Sequence, residues 1–193
     1  MSLLKDGRRV LIVSGGSKTF EYFSGLLPQS DYSLTRCGSA GEARRMLIEN
    51  PPDVLIIDTP LCDEFGIELA RDVSDMPMGI LLLVKADIAD KAAYDVEDCG
   101  VMVLAKPNSR QMFYSSVRLL TALSIRLRNM ESKNRSLQEK MADIRTVNRA
   151  KWLLIDKMNM NEQDAHYFIE KRAMDARISR REVAESIIRT YDA

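Results

Sequence analysis

Four short aliphatic runs punctuate the first half of the chain: residues 10–13 (VLIV), 54–57 (VLII), 80–84 (ILLLV) and 101–105 (VMVLA). Each is continuous rather than alternating, the pattern of a strand buried on both faces. A weaker run, residues 32–36 (YSLTR), lies between the first two. Residues 19–27, 40–49, 65–73 and 89–99 separate the runs and read as helices. Strands alternating with helices predict an α/β, doubly wound, flavodoxin-like parallel sheet of five βα units ending near residue 120. Functional groups are then expected at the carboxyl ends of the strands.

The period changes in the second half. Residues 109–157 contain neither proline nor glycine, which predicts one long helix. Leu120, Leu127 and Met141 fall on heptad position a, with Leu123, Met130, Leu137 and Ile144 on d. Asn134 and Asn148 occupy the remaining a positions, the polar breaks with which parallel two-stranded coiled coils fix register. The seam over residues 120–148 would run roughly 42 Å and predicts a homodimer. The competing reading packs the same stripe against the chain's own C-terminal helices.

Three short helices follow and make an all-α end. The first continues the long helix through residues 150–157. Asn161 is placed to cap the second, and Ser179 with Glu182 forms a capping box for the third. The pattern predicts three parts: residues 1–119, a coiled-coil linker over 120–148, and a helical domain over 149–193.

Composition narrows the chemistry. Of 193 residues, 46% are hydrophobic and 29% charged, which describes a water-soluble protein. No apolar run approaches the roughly 20 residues that span a bilayer, and the first six residues lack the apolar core of a signal peptide; a cytoplasmic protein without a membrane partner is expected. Cys37, Cys62 and Cys99 are odd in number and nowhere spaced C-x-x-C, which argues against a disulfide framework or a structural zinc site. His166 is the single histidine, so a histidine-based triad or metal centre is not expected. Gly15-Gly16-Ser17 matches no phosphate-loop pattern and reads as a turn. The chain is neutral overall, yet residues 1–107 carry a net −6 and residues 108–193 a net +6. That asymmetry fits an acidic module joined to one that meets a polyanion, or two halves that attract each other.

Asp58 closes the third strand in the context V-L-I-I-D-x-P, Gly66 follows, and Lys106-Pro107 closes the fifth strand. Over residues 8 to 120 this resembles the receiver domain of response regulators. The resemblance makes Asp58 the phosphoacceptor and Lys106 the lysine that pairs with the phosphoryl group. It also implies an acidic, Mg²⁺-holding pair after the first strand, where this chain has Ser14 and Gly15. Val84 or Lys85 stands where a hydroxyl is expected, and Val103 where the switch aromatic is expected. A hard dication needs oxygen ligands, preferably carboxylates. Ser14, Gly15, Asp58, Lys85 and Lys106 therefore read as a vestigial pocket, with Asp58 paired to Lys85 or Lys106, no metal and no cofactor.

Ala150-Lys151-x-x-Leu154, Glu162-x-x-Ala165, then Ala173-Met174-Asp175 and Val183-Ala184 resemble the ANTAR domain, the RNA-binding module of bacterial transcription antiterminators. The family's aromatic after Ala165 is His166 here, with Tyr167 and Phe168 beyond it, and Arg180 replaces a common aliphatic residue. The resemblance implies a non-enzymatic regulator whose partner is stem-loop RNA. Arg149, Lys151, Lys171, Arg172, Arg177, Arg180 and Arg181, with Arg145 nearby, would neutralise phosphates, while His166 and Tyr167 stack on loop bases. A regulatory partner protein or small ligand would act on the receiver-like domain. The alternatives are a phosphorylation-dependent response regulator, a DNA-binding regulator and a coiled-coil adaptor.

Overall fold

The structure, a computed structural model, describes residues 7–191; the leading residues inspected above for a signal peptide lie outside that range. The described residues form two compact units, one ending at Glu131 and the other beginning at Ser132.

In the first unit, strands β1 (Arg8–Ser14), β2 (Tyr32–Cys37), β3 (Val54–Asp58), β4 (Gly79–Lys85) and β5 (Met102–Lys106) make one parallel sheet in the order β2-β1-β3-β4-β5. Helices α1 (Ser17–Leu26), α2 (Ala40–Glu49), α3 (Ile67–Asp72) and α4 (Ala89–Asp95) alternate with the strands, and α5 (Arg110–Met158) begins after β5. The expected α/β doubly wound fold is the one observed.

Side-chain alternation divides two cores. Leu11, Val13, Leu55, Ile57, Leu82 and Val84 face Ala43, Leu47, Leu69 and Ala92 of α2, α3 and α4. Val10, Ile12, Val54, Ile56, Leu81 and Leu83 face Phe23 of α1 and Phe113, Val117 and Leu120 of α5. Phe23 and Phe113 stack with ring centroids 4.9 Å apart. Burying each such side chain contributes about 1.5–3 kcal/mol.

Helix ends shift by one or two residues from the sequence pattern, and two departures have a local cause. The third helix begins at Ile67 rather than residue 65 because Gly66 adopts φ 106°, with space for a Cβ closed off 2.9 Å from Ile57 Cγ2. The stretch 89–99 is not one helix: α4 stops at Asp95 and a separate 3-10 turn covers Glu97–Cys99.

Leu120 corrects the heptad reading. It is buried in the sheet core, 3% exposed, and is not available to a dimer seam. An amphipathic helix covering a sheet and a coiled coil share the same three-four spacing, so the sequence period does not separate them. Leu127 is half-buried, whereas Leu123, Met130, Asn134, Leu137, Met141, Ile144 and Asn148 are exposed.

The second unit combines the last turns of α5 with α6 (Glu162–Ala176) and α7 (Arg180–Tyr191). Ala150 and Leu154 of α5, Ala165, Ile169 and Ala173 of α6, and Val183, Ala184 and Ile187 of α7 form its core. Four alanines at these crossings let the short helices approach closely. Both predicted caps are present: Asn161 Oδ1 accepts from Asp164 N at 2.8 Å, and Ser179 and Glu182 bond reciprocally through their backbone N–H groups. Helix α6 ends on Arg177 at φ 54°, a left-handed position usually held by glycine, and the N–H of Ile178 reaches back to Ala173 O.

Candidate functional sites in the two units

At the carboxyl edge of the sheet, register sets Ser14 beside Asp58 and Lys85 beside Lys106. Lys106 Nζ lies 2.6 Å from Asp58 Oδ1 and donates a second bond of 2.6 Å to Thr59 O. The Ser14 hydroxyl is 3.5 Å from the other carboxylate oxygen and 3.3 Å from Gly16 O, so it is shared and weakly held. Gly15 contributes no side chain. Lys85 does not pair with Asp58 as the sequence allowed: it is exposed at the end of β4, and Lys106 alone answers the carboxylate. Val84, fully buried, offers no hydroxyl. A Mg²⁺ ion does not fit this donor set. One carboxylate is present, an ammonium already lies against it, and among the described residues no three His, Cys, Asp or Glu side chains converge.

The loop after Asp58 is fastened by residues the sequence pattern did not single out. Asp63 accepts from Ala40 N and Gly41 N, each at 2.9 Å, which holds its carboxyl below the usual range. Arg44 joins Glu64 at 2.8 Å and Asp72 at 2.7 Å. Thr59 Oγ1 donates to Leu83 O at 2.9 Å. Carboxylates near a helix start are a readable capping signal, but the loop that returns Asp63 to α2 is not local in sequence. Cys37 is buried, and burial pushes its thiol up to about 12.

In the helical unit, a cleft of about 640 Å³ brings together Lys151, His166, Arg180 and Arg181, with Asn148 and Ile144 along one wall. Its cations are answered by exposed acids. Lys151 lies 3.2 Å from Glu162, Arg180 2.9 Å from Glu170, and Arg181 2.9 Å from Asp143 and 2.8 Å from Glu185. His166 Nε2 is 3.3 Å from Glu170. Exposed pairs of this kind are worth about 0–1 kcal/mol each, little enough for a phosphate to displace them.

A second hollow of about 520 Å³ holds Tyr167, Phe168, Lys171 and Arg172. The Arg172 guanidinium lies over Phe168, 5.8 Å from the ring centroid. Arg149 and Arg177 line neither hollow, and Arg177 terminates α6. Trp152, which the motif reading passed over, is 70% exposed. It lies two residues from both Ala150 and Leu154, so helical period alone points it away from the core.

The ANTAR domain family model matches residues 135–188. The transcriptional regulatory protein PdtaR of Mycobacterium tuberculosis is 27% identical over 189 residues, spanning 95% of this chain and 90% of that protein. Among solved structures, a response regulator from Chloroflexus aurantiacus is 26% identical, with a TM-score of 0.55 over 61% of this chain and 99% of its own. The signal receiver domain of an HD domain-containing protein from Pseudomonas fluorescens shares the fold, with a TM-score of 0.59 over 67% of this chain and 97% of its own at 19% identity.

Proposed function

We propose that this chain, an ANTAR-domain response regulator, is a transcription antitermination factor that binds stem-loop RNA in nascent leader transcripts. Its receiver domain works without phosphorylation. The observation that carries the reading is the cleft of Lys151, His166, Arg180 and Arg181, in which each cation is held only by exposed, exchangeable acids. A flexible RNA loop offers phosphates to the cations and unstacked bases to His166 and Tyr167. Tyr167, Lys171 and Arg172 extend the basic and aromatic surface beyond that cleft.

The binding domain is the helical part from residue 149 onward, and the seam from Leu123 to Asn148 joins two chains. A homodimer offers two such domains and gains avidity for paired hairpins. The protein is not an enzyme and acts in the cytoplasm, where nascent transcripts are made. In the receiver domain Asp58 has Ser14 and Gly15 beside it instead of further carboxylates, so the oxygen ligands that metal-assisted phosphoryl transfer needs are missing. A partner protein or ligand therefore supplies the signal.

The test is fluorescence anisotropy of the full chain with a two-hairpin RNA across a salt series, beside a single hairpin and duplex DNA. Tighter binding to the two-hairpin RNA, with affinity falling linearly in log salt and weakened by Arg180→Ala and Arg172→Ala, supports the reading. Arg177→Gly preserves the left-handed turn and isolates the charge of that residue. Equal binding to all three nucleic acids, or preference for the duplex, overturns it.

A further inference from the structure

Three arginines surround a second cleft, at the edge of the sheet opposite Asp58. Arg8 and Arg9 begin β1, Arg128 projects from α5, and Ser33 and Asn129 add polar groups at the rim. The cleft is open to solvent and offers about 720 Å³, within the range of small-molecule sites. One carboxylate faces these cations. Asp53, 6% exposed, accepts the backbone N–H of Arg9 at 2.7 Å and forms an ion pair with Arg128. The Arg9 guanidinium donates to the neutral amide of Asn50. Among the described residues no carboxylate pairs with the side chain of Arg8 or Arg9, so the cleft carries an excess of two positive charges.

The three guanidiniums repel one another, and one carboxylate answers them. Burial lowers the Arg128 pKa, and the charges of Arg9 and Arg8 lower it further. Packing and Asp53 account for Arg128, and Asn50 gives Arg9 a neutral partner; neither supplies a negative charge to Arg8 or Arg9. Guanidinium forks match phosphate oxygens in pairs, and the cleft is larger than one phosphate needs. We propose that this cleft binds a small phosphate-bearing ligand, of the size of pyrophosphate to a nucleoside diphosphate, through Arg8, Arg9 and Arg128. A bound phosphate competes with Asp53 for Arg128, so occupancy acts directly on α5, the helix that carries the exposed apolar seam. This gives the receiver domain an input at the edge remote from Asp58.

The experiment is isothermal titration calorimetry of the full chain with inorganic pyrophosphate and with ADP, adenosine serving as the uncharged control, at constant ionic strength. The double variant Arg8→Gln/Arg9→Gln changes side chains at the cleft rim and leaves the Asp53–Arg128 pair in place; its melting curve checks that it folds. The expected result is binding of pyrophosphate and ADP but not adenosine, weakened at least about tenfold in the double variant. Arg126→Gln, an exposed cation on the same helix outside the cleft, should stay within about twofold of wild type if the effect is local rather than net charge. Absence of binding, or equal weakening by Arg126→Gln, overturns the proposal. So does a double variant that loses stem-loop RNA while neither pyrophosphate nor ADP binds the wild type, since the cleft would then be an RNA contact.

Discussion

A Cβ built on Gly79 would lie 2.6 Å from the Cβ of Leu120 and 2.8 Å from its carbonyl oxygen. Helix α5 thus crosses the start of β4 at a distance only glycine permits. Gly79→Ala should destabilise the five-stranded unit by about 1–3 kcal/mol, seen as a lowered melting temperature. Trimming the facing side chain should not rescue it, because the backbone oxygen of Leu120 remains in the way. A Gly79→Ala/Leu120→Ala double variant as stable as Leu120→Ala alone would contradict this close approach.

The Asp58–Lys106 pair makes a chemical prediction. Incubated with acetyl phosphate and Mg²⁺, the wild-type chain should gain no aspartyl phosphate by intact mass. Ser14→Asp adds a second carboxylate beside Asp58 and should raise Mg²⁺ affinity by at least about tenfold, read by calorimetry. Stoichiometric phosphorylation of the wild type would return the site to a working phosphoacceptor.

Asp63 links stability to pH. Backbone N–H groups of Gly41 and Ala40 hold its carboxyl below the ordinary range in the fold. The unfolded chain therefore takes up the proton more readily, and the stabilisation is present above the ordinary aspartate range. It is lost as pH falls through that range to the depressed value. Urea midpoints of wild type and Asp63→Asn should differ near neutral pH and converge in acid. A difference that does not change with pH would assign the loss to geometry instead of charge.

The seam predicts an oligomeric state. Leu137 and Met141 are 60% and 56% exposed, and in the proposed dimer a charge at either would be buried between two chains. Leu137→Asp and Met141→Asp should each shift the protein to monomer in sedimentation equilibrium, with loss of far-ultraviolet helix signal. Asn134→Leu should strengthen association while loosening its register. A wild type that stays monomeric across the micromolar range would remove the coiled coil from the proposed function.

What the sequence could show depended on the range of each interaction. The aliphatic runs announced their strands because a buried parallel sheet needs apolar residues on both faces, and the resemblance to receivers picked out Asp58 and Lys106 at the strand ends. Asn161 and Ser179 were legible because a cap and its acceptor are three residues apart. Leu120 was misread because the residue that settles its role, Gly79, is distant in sequence. Lys85 and Lys106 stayed open as partners of Asp58 because register fixes which strand end a lysine occupies and not where its side chain points. Asp63, Arg128 and the arginines of β1 were invisible for a related reason: each acts across the fold. Trp152 was legible and was overlooked, since its offset from Ala150 and Leu154 already put it on the outer face.

Every residue from 130 to 142 of α5 is exposed. In the proposed dimer a second chain is what packs against this stretch, so the paired fraction follows protein concentration. The cellular abundance of the protein is then an input in its own right. Doubling gene dosage, or slowing turnover, would raise the paired fraction without any change in signal, and dilution at cell division would lower it.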